Sequence, residues 1–107
     1  MNNIDLQDLY GKSNHDVAVE LGARFRAYRI ALRLTRQEVA YKAGVSVITL
    51  ARFESGHSSA ISLPYFIALL RTIGHMESIL ETIPEIPESL YRKVRAAQRV
   101  RRKKDEK

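Results

Sequence analysis

Apolar side chains recur along this chain at the spacings of a helix. Leu21, Phe25, Tyr28 and Leu32 share one helical face, and Arg24, Arg26 and Arg33 lie opposite. This predicts a helix from about Asp16 to Arg33, with Asn14 or Asp16 as its cap. Two shorter helices follow between Thr35 and Gly56. Thr35 with Glu38 spells a capping box, and Leu34 and Val39 flank it as a hydrophobic staple. Ser46 repeats the arrangement, with Val45 and Leu50 as the staple pair. Gly44 between them can take the positive φ that ends one helix and turns the chain sharply into the next. Val45, Leu50 and Phe53 form the inward face of the second short helix, roughly Val47 to Ser55. Val47, Ile48, Ala51 and Arg52 fall largely on the other side.

Beyond a polar loop from Ser55 to Ile61, Ser62 caps a fourth helix with Pro64 in its first turn. Leu63, Phe66, Ile67, Leu70 and Ile73 give it a broad apolar face, and Gly74 closes it. A fifth helix, about Met76 to Thr82, precedes Pro84 and Pro87, which break the pattern twice. The expected architecture is all-α: an arm over residues 1–15, a compact five-helix domain over 16–86 and a basic tail over 87–107. The arm forms either one helical turn, on Ile4, Leu6, Leu9 and Tyr10, or a flexible segment. In the tail, Leu90, Val94 and Ala97 allow a turn or two of amphipathic helix. The density of basic residues beyond them predicts a disordered, solvated arm.

Charge sharpens the picture. The 107 residues carry a formal charge of +6 and a pI near 9.9, favouring a polyanionic partner, nucleic acid before membrane. No cysteine is present, which removes disulfides, thiolate metal sites and a cysteine nucleophile. The first residues lack the basic start and apolar run of a signal peptide, and no stretch approaches the roughly 20 apolar residues of a membrane span. A cytoplasmic protein, nucleoid-associated when bound to DNA, is expected. His15, His57 and His75 lack metal-ligand spacing and acidic company. No nucleophile elbow, glycine-rich phosphate loop or carboxylate pair is visible, so neither catalysis, a metal nor a cofactor is expected.

Two capped helices around a glycine turn read as a helix-turn-helix, whose second helix is offered to DNA. Leu34-Thr35, Glu38, Ala40, Gly44-Val45-Ser46, Thr49 and Glu54-x-Gly56 resemble the Cro/C1-type (Xre-like) helix-turn-helix family of bacterial and phage repressors, over about Leu21 to Leu80. The resemblance implies a compact, lambda-repressor-like five-helix domain. It also implies a buried ion pair between Arg29 and Glu54, tying the first helix to the third; the alternative is two solvated charges. Where the family often has a glutamine, touching phosphate and bracing a recognition side chain, this chain has Arg36. A phosphate contact survives that exchange; the bracing role does not follow.

In the resembled family the places of Val47, Ile48 and Arg52 read bases. Branched apolar side chains can pack on thymine methyls, and arginine can bond guanine O6 and N7 bidentately, so a half-site with adjacent T·A pairs and a G·C pair is expected. Burial of Val47 and Ile48 in the core, or contact with another protein, are the competing readings. Arg36, Ser46, Thr49, Ser55, His57 and Ser58 are the candidate phosphate contacts. Such repressors bind inverted-repeat double-stranded DNA as homodimers, and Met76, Ile79, Leu80, Ile83 and Ile86 form the candidate two-fold patch, or else cap the core. The segment LLRTIGHMESILETIPEIPES with its basic continuation looks like the HipB-type antitoxins, which repress their own operon and hold a HipA-like kinase toxin. A phage-type repressor, or an adaptor that uses the exposed helix to bind protein, are the alternatives.

Overall fold

The computed structural model describes residues 6–57 and 60–105, and among these every regular element is helical. A short 3-10 helix, Leu6–Gly11, precedes α1 (Asn14–Ala31), α2 (Arg36–Ala43), α3 (Val47–Ser55), α4 (Leu63–Thr72), α5 (Glu77–Glu81) and α6 (Glu88–Asp105). The chain divides into two compact units, one ending at Glu77 and the other starting at Ser78. Ile4 lies outside the described residues; Leu9 and Tyr10 on the 3-10 helix are both exposed.

Local chemistry sets the helix starts. The α1 cap is Ser13 rather than Asn14 or Asp16: its hydroxyl accepts the Asp16 amide proton at 3.0 Å, which makes Asn14 the first helical residue. Ser62 does the same for α4 through the Tyr65 amide, with Pro64 in the first turn. Ends are less uniform. Gly44 closes α2 in the left-handed region (φ 70°), as its sequence position implies. After α1 that conformation falls to Arg33 (φ 58°), while the Leu34 amide bonds back to the Arg29 carbonyl at 3.0 Å. A non-glycine residue there carries strain of about 1–2 kcal/mol, and no glycine marks the end of this helix in the sequence.

In the first unit α1 packs on α3, and α2 packs on both α3 and α4. Phe25, Val39, Ala40, Val45, Leu50, Phe53, Leu69 and Ile73 form the buried cluster, and Leu34, Phe66 and Leu70 lean on it. Phe53 is its hub, 5.9 Å from the Phe25 ring and 6.0 Å from that of Phe66. Val45, Leu50 and Phe53 face inward as their spacing requires. On α4 Leu69 is fully buried, a position the apolar stripe passed over, whereas Leu63 is exposed at the first turn.

The inward face of α1 differs from the expected one. Leu21, Tyr28 and Leu32 are exposed, and the buried positions are Gly22, Phe25 and Arg29. Both stripes have helical spacing and share Phe25, so periodicity alone could not choose between them. The choice is made by α3. Gly22 sits so close to it that a Cβ there would overlap the Phe53 carbonyl oxygen, and Arg29 reaches a carboxylate on the same helix.

In the second unit the basic segment is not a disordered arm but an 18-residue helix. Glu88 at its first turn faces Arg92 at 3.7 Å and Arg95 at 3.1 Å, and the Arg95 guanidinium lies 5.1 Å from the centre of the Tyr91 ring. These i, i+4 and i, i+7 links oppose the repulsion among like charges that argued for disorder.

Replacing Gly22 by alanine is expected to destabilise the protein. Overpacking by one methyl costs about 1–3 kcal/mol, and backbone as the obstacle favours the upper end. That outweighs the roughly 1 kcal/mol of helix propensity gained. Urea unfolding of Gly22→Ala is the measurement, and a midpoint at or above that of the parent would show that α1 and α3 can separate without penalty.

Candidate nucleic-acid interface

The candidate surface is built on α3, and the position of α3 is set by one carboxylate. The Glu54 side chain is fully buried. Arg29 donates to it twice, Nε to Oε2 at 2.7 Å and Nη2 to Oε1 at 2.9 Å, in a fork that fixes direction as well as distance. The third arm of the fork, Nη1, donates to the Leu34 carbonyl at 2.9 Å and so holds the α1–α2 turn. Arg36 at the start of α2 donates through Nε to Glu54 Oε1 at 3.1 Å. One acid therefore ties α1, α2 and α3 together, and no buried side-chain polar atom among the described residues lacks a partner.

Two caps complete the scaffold. At Thr35 the box is closed: the Thr35 amide donates to Glu38 Oε1 at 3.2 Å, and the Glu38 amide donates to Thr35 Oγ1 at 3.1 Å. The Thr35 amide holds the Glu38 carboxyl below the usual carboxylate range, helped by the Thr35 side chain; desolvation opposes them, and Lys42 adds a lesser pull downward. At Ser46 only half the device is present, because the third helical residue is Thr49 rather than an acid. Ser46 Oγ accepts the Thr49 amide at 3.0 Å, and the two hydroxyls bond each other at 2.8 Å. The amino end of α3 thus carries two exchangeable hydroxyls and no negative side chain.

With Leu50, Phe53 and Glu54 turned inward, the opposite face of α3 is set by helical geometry. Ile48, Arg52 and Ser55 lie along it at i, i+4 and i+7, all exposed. Ile48 is 66% exposed and Val47, at the edge of this stripe, 42%. Neither is a core residue. Apolar surface left bare beside an arginine on a short braced helix has the form of a contact surface.

The phosphate candidates are distributed unevenly around that stripe. Ser46 and Thr49 sit at its amino end. Ser55 and His57 meet at its carboxyl end, with Ser55 Oγ 2.7 Å from His57 Nδ1, and Ser58 lies outside the described residues. Arg36 is drawn inward to Glu54 with its side chain 40% exposed, so its first duty is to the scaffold. Thr49, Arg52, Phe53, Ala60 and Ile61 line a small hollow beside the stripe. Of the candidate two-fold patch, Met76 belongs to the first unit and is half-buried. Ile79 in the second unit is half-buried, and Leu80, Ile83 and Ile86 there are exposed.

Sequence reasoning passed over Tyr41, whose side chain stands 89% exposed on the outer face of α2 beside Gln37. Its signal was available. Val39 and Ala40 already fill the inward side of that short helix, which leaves Tyr41 pointing away.

A family model described as a helix-turn-helix domain matches residues 20–78, more than half of the chain and all of α2, α3 and α4. No curated protein matches the chain. Among the described residues no helix is long and apolar enough to cross a membrane, and no cluster of His, Asp or Glu could hold a metal ion.

Two outcomes test the scaffold. Glu54→Ala strands Arg29 in the interior and is expected to cost about 3–5 kcal/mol, whereas Arg36→Gln removes a partly solvated partner and should cost under about 1 kcal/mol. Denaturant unfolding of the two variants checks the order. For Glu38 the folded pKa lies below the unfolded one, so its stabilising effect is present above the unfolded value and lost as pH falls through the folded value. The gap in melting temperature between the parent and Glu38→Gln should therefore be open at neutral pH and close in acid.

Proposed function

The chain belongs to the helix-turn-helix domain family, of the Cro/C1/Xre type, and from that premise we propose that this DNA-binding regulator is a sequence-specific transcriptional repressor. Its α3 enters the major groove, with Val47, Ile48 and Arg52 directed at base edges. The observation that carries this is the stripe on α3: two aliphatic side chains and an arginine held outward on a helix that three other residues, Arg29, Glu54 and Arg36, lock in place. Aliphatic side chains recognise the thymine methyl and arginine recognises guanine, so the half-site pairs T·A steps with a G·C pair. Ser46, Thr49, Ser55 and His57 supply backbone contacts at the two ends of the stripe, and the solvent-exposed part of Arg36 adds one more.

A single α3 covers one half-site. The repressor acts as a homodimer on an inverted repeat, with half-sites roughly 34–36 Å apart. Exposure of Leu80, Ile83 and Ile86 supports the segment after α4 as the two-fold contact. The finer assignment is an autoregulating antitoxin of the HipB type that also holds a HipA-like kinase. Its support is the likeness of the segment from Leu69 to Ser89 with its basic continuation; a phage-type repressor is the alternative, and co-purification with a kinase-like neighbour separates the two.

Selection from a random duplex library should enrich thymine next to guanine in a two-fold symmetric site. On that site Arg52→Ala should cost about 1–3 kcal/mol and relax preference at one base pair. Equal weakening on operator and random DNA would remove Arg52 from base reading.

A further inference from the structure

Positive charge is concentrated in two places, residues 20–78 of the helix-turn-helix, with eight basic residues against four acids, and more densely in α6. Residues 1–87 taken together carry nine arginines and lysines and nine acids, so that part is formally neutral. The α6 segment alone carries eight basic residues against Glu88 and Asp105, which matches the +6 of the whole chain. Within the first unit charge is further consumed internally, since Arg29 and Arg36 both answer Glu54 and Arg24 answers Glu20. Affinity for a duplex rests largely on neutralising phosphates. The densest supply of cations for that task is α6, with eight basic residues in eighteen.

Helical geometry sorts the α6 side chains. Leu90, Val94 and Ala97 share one side, with Tyr91 at its edge, and Arg92, Arg95 and Arg99 run along another. Those three arginines, with Gln98, line one concave stretch. Glu88 is the acid that answers two of them, through pairs more than half solvated, and such pairs yield readily to another anion. The helix is about 27 Å long at 1.5 Å per residue, against a duplex that presents one charge per about 1.7 Å of its axis.

We propose that α6 is a second DNA-binding element, gripping the phosphate backbone of the duplex through Arg92, Arg95 and Arg99. It supplies the salt-dependent share of affinity and α3 supplies the sequence preference. This rests on the repressor reading for its partner. A basic amphipathic helix is also the form of a surface binder of anionic membranes. Here the exposed apolar side, Leu90, Val94 and Ala97 with Tyr91 and Val100 at its edges, is interrupted by Arg101, and the helix-turn-helix of the same chain brings a duplex as the anionic partner.

The test uses the full chain and its triple variant Arg92→Gln, Arg95→Gln, Arg99→Gln, titrated against the selected operator and a random duplex at several salt concentrations. The slope of log affinity on log salt should fall by about 0.9 for each phosphate that is no longer neutralised, about 2.7 in all, on both duplexes, leaving their affinity ratio unchanged. The matching Arg→Lys triple variant should keep the parental slope, which excludes misfolding as the cause. An unchanged slope in the glutamine variant overturns the proposal. So does retention of the parent, but not of the glutamine variant, on phosphatidylserine vesicles with no change in the DNA slope. If the parent shows no preference for any sequence yet the slope still falls, the repressor reading fails and the role of α6 stands. Operator preference with an unchanged slope is the reverse case.

Discussion

The buried carboxylate of Glu54 is the constraint on which the rest of the first unit depends. A carboxylate without solvent must be answered by charge and by hydrogen bonds, and here both come from arginines on two other helices. An apolar contact in the same place would hold α1 against α3 as strongly, or more so. It would not fix rotation. The fork of Arg29 accepts one orientation of the Glu54 carboxylate, and its remaining arm accepts one position of the Leu34 carbonyl. Directional bonds specify where a helix points; nonpolar packing specifies mainly that it is held.

That distinction matters for a short helix whose proposed contact face is its outer one. α3 has nine residues, too few for a stable isolated helix in water. Its position comes from Leu50 and Phe53 in the core, from the close approach of Gly22 to the Phe53 carbonyl, and from Glu54 near its end. The Ser46 cap and the left-handed Gly56 define its two ends. With the inward half committed this firmly, Ile48, Arg52 and Ser55 have no freedom to turn inside. Their exposure follows from the burial of the other side.

Much of this arrangement was legible in the residues because it is local. A capping box needs positions three apart, a turn needs glycine at the bend, and the inward side of α3 needs Val45, Leu50 and Phe53 at helical spacing. What was not legible depends on partners distant in the chain. Two stripes on α1 share Phe25, and only the presence of α3 decides that Gly22 and Arg29 face it while Leu21 and Tyr28 do not. Leu69 on α4 is buried in a core to which α2, distant in the chain, also contributes Val39 and Ala40. Arg36 shows the same limit in polar form: its place suggested phosphate, and Glu54, eighteen residues away, claims its Nε. In the last segment two local signals conflicted. Charge density argued against order, while Leu90, Val94 and Ala97 at helical spacing allowed a turn or two of helix; the helix prevailed over the whole segment, with Glu88 facing Arg92.

The proposed division, net charge on one element and direction on another, has a physical rationale. Long-range attraction to a polyanion acts before any groove is met, and it carries no sequence information. A cationic patch spread around α3 would hold any duplex against the reading face and lower the contrast between right and wrong sites. α3 itself, with Arg52 against Glu54, is formally neutral, and under the proposed reading it leaves that contrast to short-range complementarity, where a misplaced methyl or an unanswered guanidinium is felt in full. The charge that brings the duplex close then belongs on a separate element, and α6, with eight basic residues along its length against two acids, is where this chain concentrates its excess of that sign.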